Sequence, residues 1–433
     1  MIQQDLALEE DARQLKMQWW REARFGLFIH WGLYAVAAGE WKGQPFDGVS
    51  EWIMKRMAVP VAEYEELAGQ FNPIGFDAEA WVGLAKAAGM KYIVITAKHH
   101  DGFAMYGSAS SPYNIVDATP YGCDPLKALA EACAKEDIRL CFYYSQFQDW
   151  HHPDAGGNDW DYPDAAGKDF ERYMQEKALP QMRELLTQYG PIGLIWFDTP
   201  MSLTEDQSRR FAELVRGLQP NCLINSRVGH QYHDYASTGD NMIPSDVFDT
   251  DWEVPATLNH TWGYKKADDN WKSPVQLVKL LVDINRKGGN YLLNVGPRGD
   301  GTIPEGSVRI LEEVGAWMRV NSEAIYGTVP CPTFPYLMPW CGFTHKPGKL
   351  YLHVYEWRGG NRVIFGLGSP VKRAYLLAEP EKEIEFVHNS AGMNLSQQLS
   401  RLILTLPQLT PDPIATVIVL EYEGELKTEP LKP

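Results

Sequence analysis

Cysteine is sparse and scattered. There are six in 433 residues, at 123, 133, 141, 222, 331 and 341, and no pair has C-x-x-C spacing. That excludes a zinc–cysteine cluster and is too thin for a disulfide scaffold. The thiols are expected to be reduced and mostly buried, which fits the cytoplasm. Basic residues are also short: 40 Lys and Arg face 56 Asp and Glu, a formal charge of −16. Nucleic acid and anionic membranes both want clustered Lys and Arg, so neither is an expected partner. No window of about 18 apolar residues occurs, so no membrane-spanning helix is expected. The opening MIQQDLALEEDARQLKMQWW is acidic and amphipathic. Without a basic start and an apolar stretch it does not read as a signal peptide. There is no internal repeat and no long low-complexity tract.

What is abundant is aromatic: 15 Trp, 21 Tyr and 16 Phe. Much of this must be core, but a surplus of Trp also suits sugars, whose C–H faces stack on rings. The length exceeds one ordinary core, so a large α/β domain plus a smaller one is expected. Short apolar runs alternate with helical patterns. The runs are FGLFIHWG (25–32), KYIVITAKHH (91–100), RLCFYYS (139–145), GLIWFD (193–198), NCLINSR (221–227), DVFDTDWE (246–253), NYLLNVGP (290–297) and AIYGT (324–328). Helices are expected near 77–89, 124–136, 166–189, 204–218, 274–287 and 305–322. Strands apolar on both faces, alternating with helices, mean a covered parallel sheet. Some eight such units mean a (β/α)8-like barrel, with an irregular connection after NSR. From about 335 the texture changes to short runs with turn residues about every 8–12 positions, an all-β sandwich. The expected division is therefore a (β/α)8-like catalytic domain over 1–334 and a C-terminal β-sandwich over 335–433.

In such a barrel the chemistry sits at the C-terminal ends of the strands. Those ends carry His30, His99 and His100, Tyr143 and Tyr144, Asp198, Arg227 and Glu253. Any one alone reads as a cap or a satisfied structural residue. Together on one rim, such groups point to a ligand. GLIWFD poses a question, since a strand that reads as buried ends on a carboxylate with only Thr199 and Pro200 beside it. Asp198 and Glu253 stand on different strands, and paired carboxylates suit glycoside hydrolysis. The alternative for Glu253 is an ion pair with Lys265 or Lys266. A metal-dependent hydrolase would want H-x-H on one strand face. KHHDG places its histidines at adjacent positions, which point oppositely unless the strand has already ended, and no H-E-x-x-H occurs. Hydrogen bonding to sugar hydroxyls is the better use.

The motifs FGLFIHWG, EWIMKRM, YIVITAKHHDGFAMY, FYYS, WFDTP, WEVPATLNHTWGY and YLLNVGP resemble, in order, those of the α-L-fucosidases of glycoside hydrolase family 29. The resemblance implies a barrel with a second β-sandwich domain. It implies a retaining, cofactor-free and metal-free exo-α-L-fucosidase acting by double displacement on fucosylated glycans or glycosides. Carried over, Asp198 is the nucleophile, left unpaired, and Trp196 packs on the sugar. His30, His99 and His100 bind fucose hydroxyls, as do Glu51 and Trp52 of SEWI. Tyr144 stands near the nucleophile. Arg227 of NSR matches less closely and has pairing with a structural acid as its alternative. Glu253 is the implied acid/base, with Asp249, Asp251 and Asp240 as alternatives. Phe28, Trp31 and Trp196 are the candidates for an apolar surface against the sugar. Rival readings are a member that mainly transfers fucose and a fucose-binding protein without catalysis.

Overall fold

The computed structural model describes residues 2–245, 248, 250–336, 338–389 and 399–429, the side chains of residues 2–10 excepted. Eight strands form one parallel sheet. They are β1 (Phe25–Ile29), β2 (Tyr92–Lys98), β3 (Arg139–Tyr144), β4 (Leu194–Phe197), β5 (Leu223–Ile224), β6 (Ala236–Ser237), β7 (Trp252–Thr257) and β8 (Asn290–Val295). The order is β5-β4-β3-β2-β1-β8-β7-β6, and each pairing is parallel. The sheet curls, and an isolated parallel bridge between Asn225 and Tyr235 links its two edges. This is the expected (β/α)8-like arrangement, with its weak seam between the two-residue strands β5 and β6.

The runs are apolar throughout because each strand is covered twice. All seven residues of β2 are buried. Alternate residues serve different cores. Phe28, Tyr92, Val94, Tyr143, Leu194 and Trp196 belong to a cluster inside the barrel. Leu27, Ile93, Ile95, Tyr144, Ile195 and Phe197 belong to the larger cluster under the outer helices. The N-terminal helix α1 (Ile2–Ala23) inserts Met17, Trp20 and Ala23 into the inner cluster. The Trp20 ring lies 4.6 Å from that of Tyr235.

The outer helices start where their caps dictate. Asp124 accepts hydrogen bonds from the amides of Leu126 and Lys127, and Pro125 occupies the first turn of α3 (Pro125–Glu136). Thr204 with Gln207 and Ser273 with Gln276 form capping boxes on α5 (Glu205–Leu218) and α6 (Pro274–Arg286). The helix expected over 166–189 begins at Phe170 and passes through a π turn, Met174–Ala178, before α4 (Leu179–Gln188). Among the described residues no helix is long and apolar enough to cross a membrane.

Two strand expectations are corrected. AIYGT is no strand: a 3-10 turn, Ser322–Ala324, runs into a loop there. The run read as DVFDTDWE becomes a strand only from Trp252, and Asp246, Val247 and Asp249 lie outside the described residues. The missing eighth strand is β6, two residues in the segment read as an irregular connection.

Antiparallel strands follow from Cys341 onward. β9 (Cys341–Lys346), β10 (Lys349–Val354), β12 (Val371–Leu376), β13 (Glu379–Glu383) and β16 (Thr416–Tyr422) make a five-stranded sheet. β11 (Gly360–Phe365), β14 (Glu385–Asn389) and β15 (Arg401–Leu406) make a three-stranded one. They enclose a separate core around Leu350, Leu352, Ile364, Leu402, Leu404 and Ile418. Trp317, on α7 (Glu305–Asn321), reaches across and donates its indole N–H to the Ala415 carbonyl at 2.7 Å.

Helix α7 lies on α2 (Ala78–Ala87) through a glycine contact. A methyl group at Gly315 would overlap the backbone carbonyl of Ala87. Helix propensity favours Ala over Gly by about 1 kcal/mol, but a backbone carbonyl cannot swing aside, and overpacking costs about 1–3 kcal/mol. Gly315→Ala is therefore expected to lower the Tm; an unchanged or raised Tm would show that the two helices are free to separate.

Candidate active site

The C-terminal ends of the barrel strands surround a pocket lined by Phe28, His30, Glu51, Trp52, His99, His100, Tyr143, Trp196, Asp198, Thr199, Arg227, Asp240 and Trp262. A larger cavity, about 1070 Å³, opens at the other end of the barrel beside α1. It is lined there by Arg21 and Asp251, which bond each other at 2.7 Å.

Asp198 stands one residue beyond β4 and shares the inward face with Trp196, two positions back. The expectation of a bare carboxylate is corrected. Oδ1 accepts hydrogen bonds from Arg227 at 2.7 Å and from the Thr199 amide at 2.9 Å. Oδ2 accepts from the Tyr143 hydroxyl at 2.8 Å, with His100 Nε2 at 3.5 Å. Burial pushes the Asp198 carboxyl up, but the Arg227 charge, His100 and the hydrogen bonds from Arg227 and Tyr143 outweigh it and hold it below the usual range. The backbone there is unusual. Thr199, β-branched, has φ 44°, and Met201 has φ 41°. Gln146 ties the layer beneath together: its Oε1 accepts from the Asp198 amide at 3.0 Å, and its Nε2 donates to the Arg227 carbonyl at 2.7 Å.

The strand β2 ends at Lys98, so His99 and His100 are free of its alternation. Both rings line the pocket, 4.2 Å apart, which is the case of a strand that has already ended and not of one whose side chains point oppositely. His30 Nδ1 pairs with Asn294 Oδ1 at 2.7 Å, and His100 Nδ1 with Ser145 Oγ at 2.6 Å. Burial lowers His30 to about 3 and His100 to about 4, and carries His99 well below its ordinary value. All three are neutral at pH 7, each able to donate or accept through its remaining ring nitrogen. His99 Nδ1 is buried and has no partner among the described residues.

Glu51 and Trp52 come from the 3-10 turn Ser50–Trp52. Glu51 Oε2 accepts from the Gly263 amide at 3.0 Å and from Thr261 at 3.3 Å. Its Oε1 is buried and has no partner among the described residues. Burial pushes this carboxyl up to about 7. Trp52 packs edge-on against His100 at 5.1 Å. Arg227 follows β5 and places one guanidinium between two carboxylates, Asp198 and Asp240. The side chain of Asp198 is 11% exposed and that of Asp240 48%. Asp240 thus stands at the mouth and Asp198 inside.

Three placements differ from those expected. Tyr144 faces outward, its hydroxyl donating to Gln181 on α4 at 2.9 Å. Alternation gives the inward place to Tyr143, which stacks on Trp196 at 5.6 Å. Glu253 is not in the pocket. It is the second residue of β7, near the N-terminal end, and lies beneath Trp196 with no exposed surface. Its carboxylate accepts from Tyr92 (2.7 Å), the Trp196 indole N–H (2.9 Å) and Tyr235 (3.3 Å). Burial raises it to about 7, yet it cannot reach a group held above the indole. Lys265 is spent on the Gly48 carbonyl at 3.0 Å. Among the other candidates, Asp251 is at the far end of the barrel, and Asp249 lies outside the described residues. Trp31 also faces out, among Phe71, Phe76 and Trp81. Sequence reading missed Trp262, whose ring lies 5.0 Å from that of His30, although its loop motif was in view.

The chain belongs to the alpha-L-fucosidase family. The family's model matches residues 3–323. The tissue alpha-L-fucosidase of Rattus norvegicus is 30% identical over 430 residues, covering 93% of this chain and 88% of that one. The crystal structure of an alpha-L-fucosidase from Vibrio sp. strain EJY3 superposes with TM-score 0.89 at 37% identity, over 96% of this chain and 74% of that one. The alpha-L-fucosidase AlfC of Lactobacillus casei, solved with alpha-L-fucose product, gives 0.66 at 43% identity, over 70% and 98%. The chain is thus a glycosidase of the fucose-releasing kind, and this strand-end pocket is its candidate fucose site.

The grip on Asp198 yields a test. Tyr143 stabilises the ionised carboxyl, so removing its hydroxyl raises the pH at which Asp198 ionises. Tyr143→Phe is expected to move the acid limb of the kcat/KM profile to higher pH. An unmoved acid limb would mean that Asp198 does not set it.

Proposed function

We propose that the chain is a retaining exo-α-L-fucosidase in which Asp198 attacks the anomeric carbon and Asp240 serves as acid and base. The observation that carries this is the Arg227 guanidinium shared by the two carboxylates. Two carboxyls that share one guanidinium are separated by little more than its span and two hydrogen bonds. That places both within reach of one glycosidic bond, as a pair of catalytic carboxyls requires.

In the first step Asp198 Oδ bonds to C1 while the C1–oxygen bond breaks, and Asp240 gives its proton to the departing oxygen. In the second step Asp240 takes a proton from water as that water attacks C1 and displaces Asp198. Positions support these roles. The attacking group must be inside, against the ring, and the donor must meet a leaving group that stays outside. Glu51, though raised to about 7, is 1% exposed and deep in the pocket, a place for a sugar hydroxyl. The floor is closed by Phe28 and Trp196, whose rings lie 5.1 Å apart, which suits a terminal sugar. A variant of the AlfC enzyme is known with Fuca(1,6)GlcNAc, so that linkage heads the panel on which this chain should be assayed.

Asp198→Gly should cut turnover by several orders of magnitude with the fold intact. Azide should restore part of the rate and yield the inverted β-fucosyl azide, because it attacks where the carboxylate stood. Near-native turnover without azide would remove Asp198 from its role.

Asp240→Ala should slow substrates with poor leaving groups far more than activated aryl fucosides. If Glu51→Gln shows that signature and Asp240→Ala does not, the donor is Glu51.

A further inference from the structure

Glu253 lies outside the pocket yet touches its floor. Its hydrogen bonds run to three donors, Tyr92, Tyr235 and Trp196. For stability alone a well-packed apolar side chain would serve the barrel as well as a buried carboxyl. Its neighbours show what else it can do. The indole N–H of Trp196 is a donor and nothing else, so an acceptor beneath it fixes the rotation of the ring. On that ring rest two of the side chains that hold the Asp198 carboxylate. Tyr143 stacks at 5.6 Å with planes 17° apart, and the Arg227 guanidinium carbon lies 4.7 Å from the ring centre. Tyr143 bonds one Asp198 oxygen and Arg227 the other.

We propose that Glu253 is a positioning residue that acts through Trp196: by fixing the indole it sets the Tyr143 and Arg227 groups that aim Asp198. This rests on Asp198 being the attacking group. Either protonation state of Glu253 keeps the indole bond, because a tyrosine hydroxyl can turn from donor to acceptor and the indole cannot. An amide can do the same, accepting from Trp196 with its oxygen and donating to Tyr92.

The test is steady-state kinetics on an activated aryl fucoside and on a fucoside with a poor leaving group, with Tm measured for each variant. Glu253→Leu leaves the indole N–H unpaired and should lower kcat by about tenfold or more, equally for both substrates and with a smaller change in KM. Glu253→Gln should stay within about threefold of wild type and keep the basic limb of the pH profile. Trp196→Phe keeps a ring but loses the N–H, and adding Glu253→Leu to it should cost less than about twofold more. Wild-type rates for Glu253→Leu, or losses that multiply in the double variant, overturn the proposal. So does a loss confined to the poor leaving group, which would make Glu253 the proton donor. If Glu253→Leu does not fold, Trp196→Phe decides: a loss of kcat equal for both substrates supports the role, and wild-type rates overturn it. Asp198→Gly assayed in parallel separates the two failures. Near-native turnover there overturns the site reading and this proposal with it, whereas a dead Asp198→Gly beside an unaffected Glu253→Leu overturns the positioning role alone.

Discussion

One guanidinium between two carboxylates is the interaction on which the site depends. Arg227 bonds Asp198 inside the pocket and Asp240 at its mouth. A partly buried carboxylate needs a counter-charge, or burial would neutralise it. Arg227 supplies that charge without covering both oxygens of Asp198. The second oxygen takes a neutral hydroxyl, from Tyr143, in place of a second cation. The result is a carboxylate kept ionised by its surroundings.

The second constraint is the alternation of a strand. It sends Trp196 and Asp198 to one side, and Phe197 to the other. It also decides between two neighbouring tyrosines. Tyr143 joins the inner cluster and the nucleophile candidate, and Tyr144 the helix layer and Gln181. Where a strand stops, the rule stops. His99 and His100, just past β2, both reach the pocket. Backbone at Thr199 that a β-branched residue rarely adopts marks the same transition after β4.

These rules explain what could be read from the residues alone. Strands apolar on both faces, and helices opened by Asp124–Pro125, Thr204 and Ser273, are local signals, and they located most of the barrel. The His and Asp residues just past β1, β2 and β4 were legible for the same reason. What failed needed partners far along the chain. Strand β6 is two residues long and exists because Ala236 and Ser237 meet Trp252 and Glu253. The neutralisation of Asp198 comes from 29 positions away and has no local trace. Glu253 looked like a strand end because the run before it was taken as the strand. In fact the strand starts there and continues to Thr257, so the residue faces the opposite end of the barrel.

A perturbed ionisation does not by itself identify the proton donor. Glu51 and Glu253 are both raised by burial to about 7, the value a general acid would want. One is beneath the indole and the other is deep where the sugar ring would lie. Access to the leaving group is the reason we propose Asp240 over both. The shared arginine then gives that choice an electrostatic reason. In the mechanism we propose, Asp198 carries the negative charge before reaction and Asp240 gives up a proton as the glycosidic bond breaks. Once Asp198 is bonded to the sugar it is neutral, and Asp240, having lost its proton, is the anion. Arg227 faces one negative charge in each state and need not move between them, so its dipoles and charge are in place before the charge arrives.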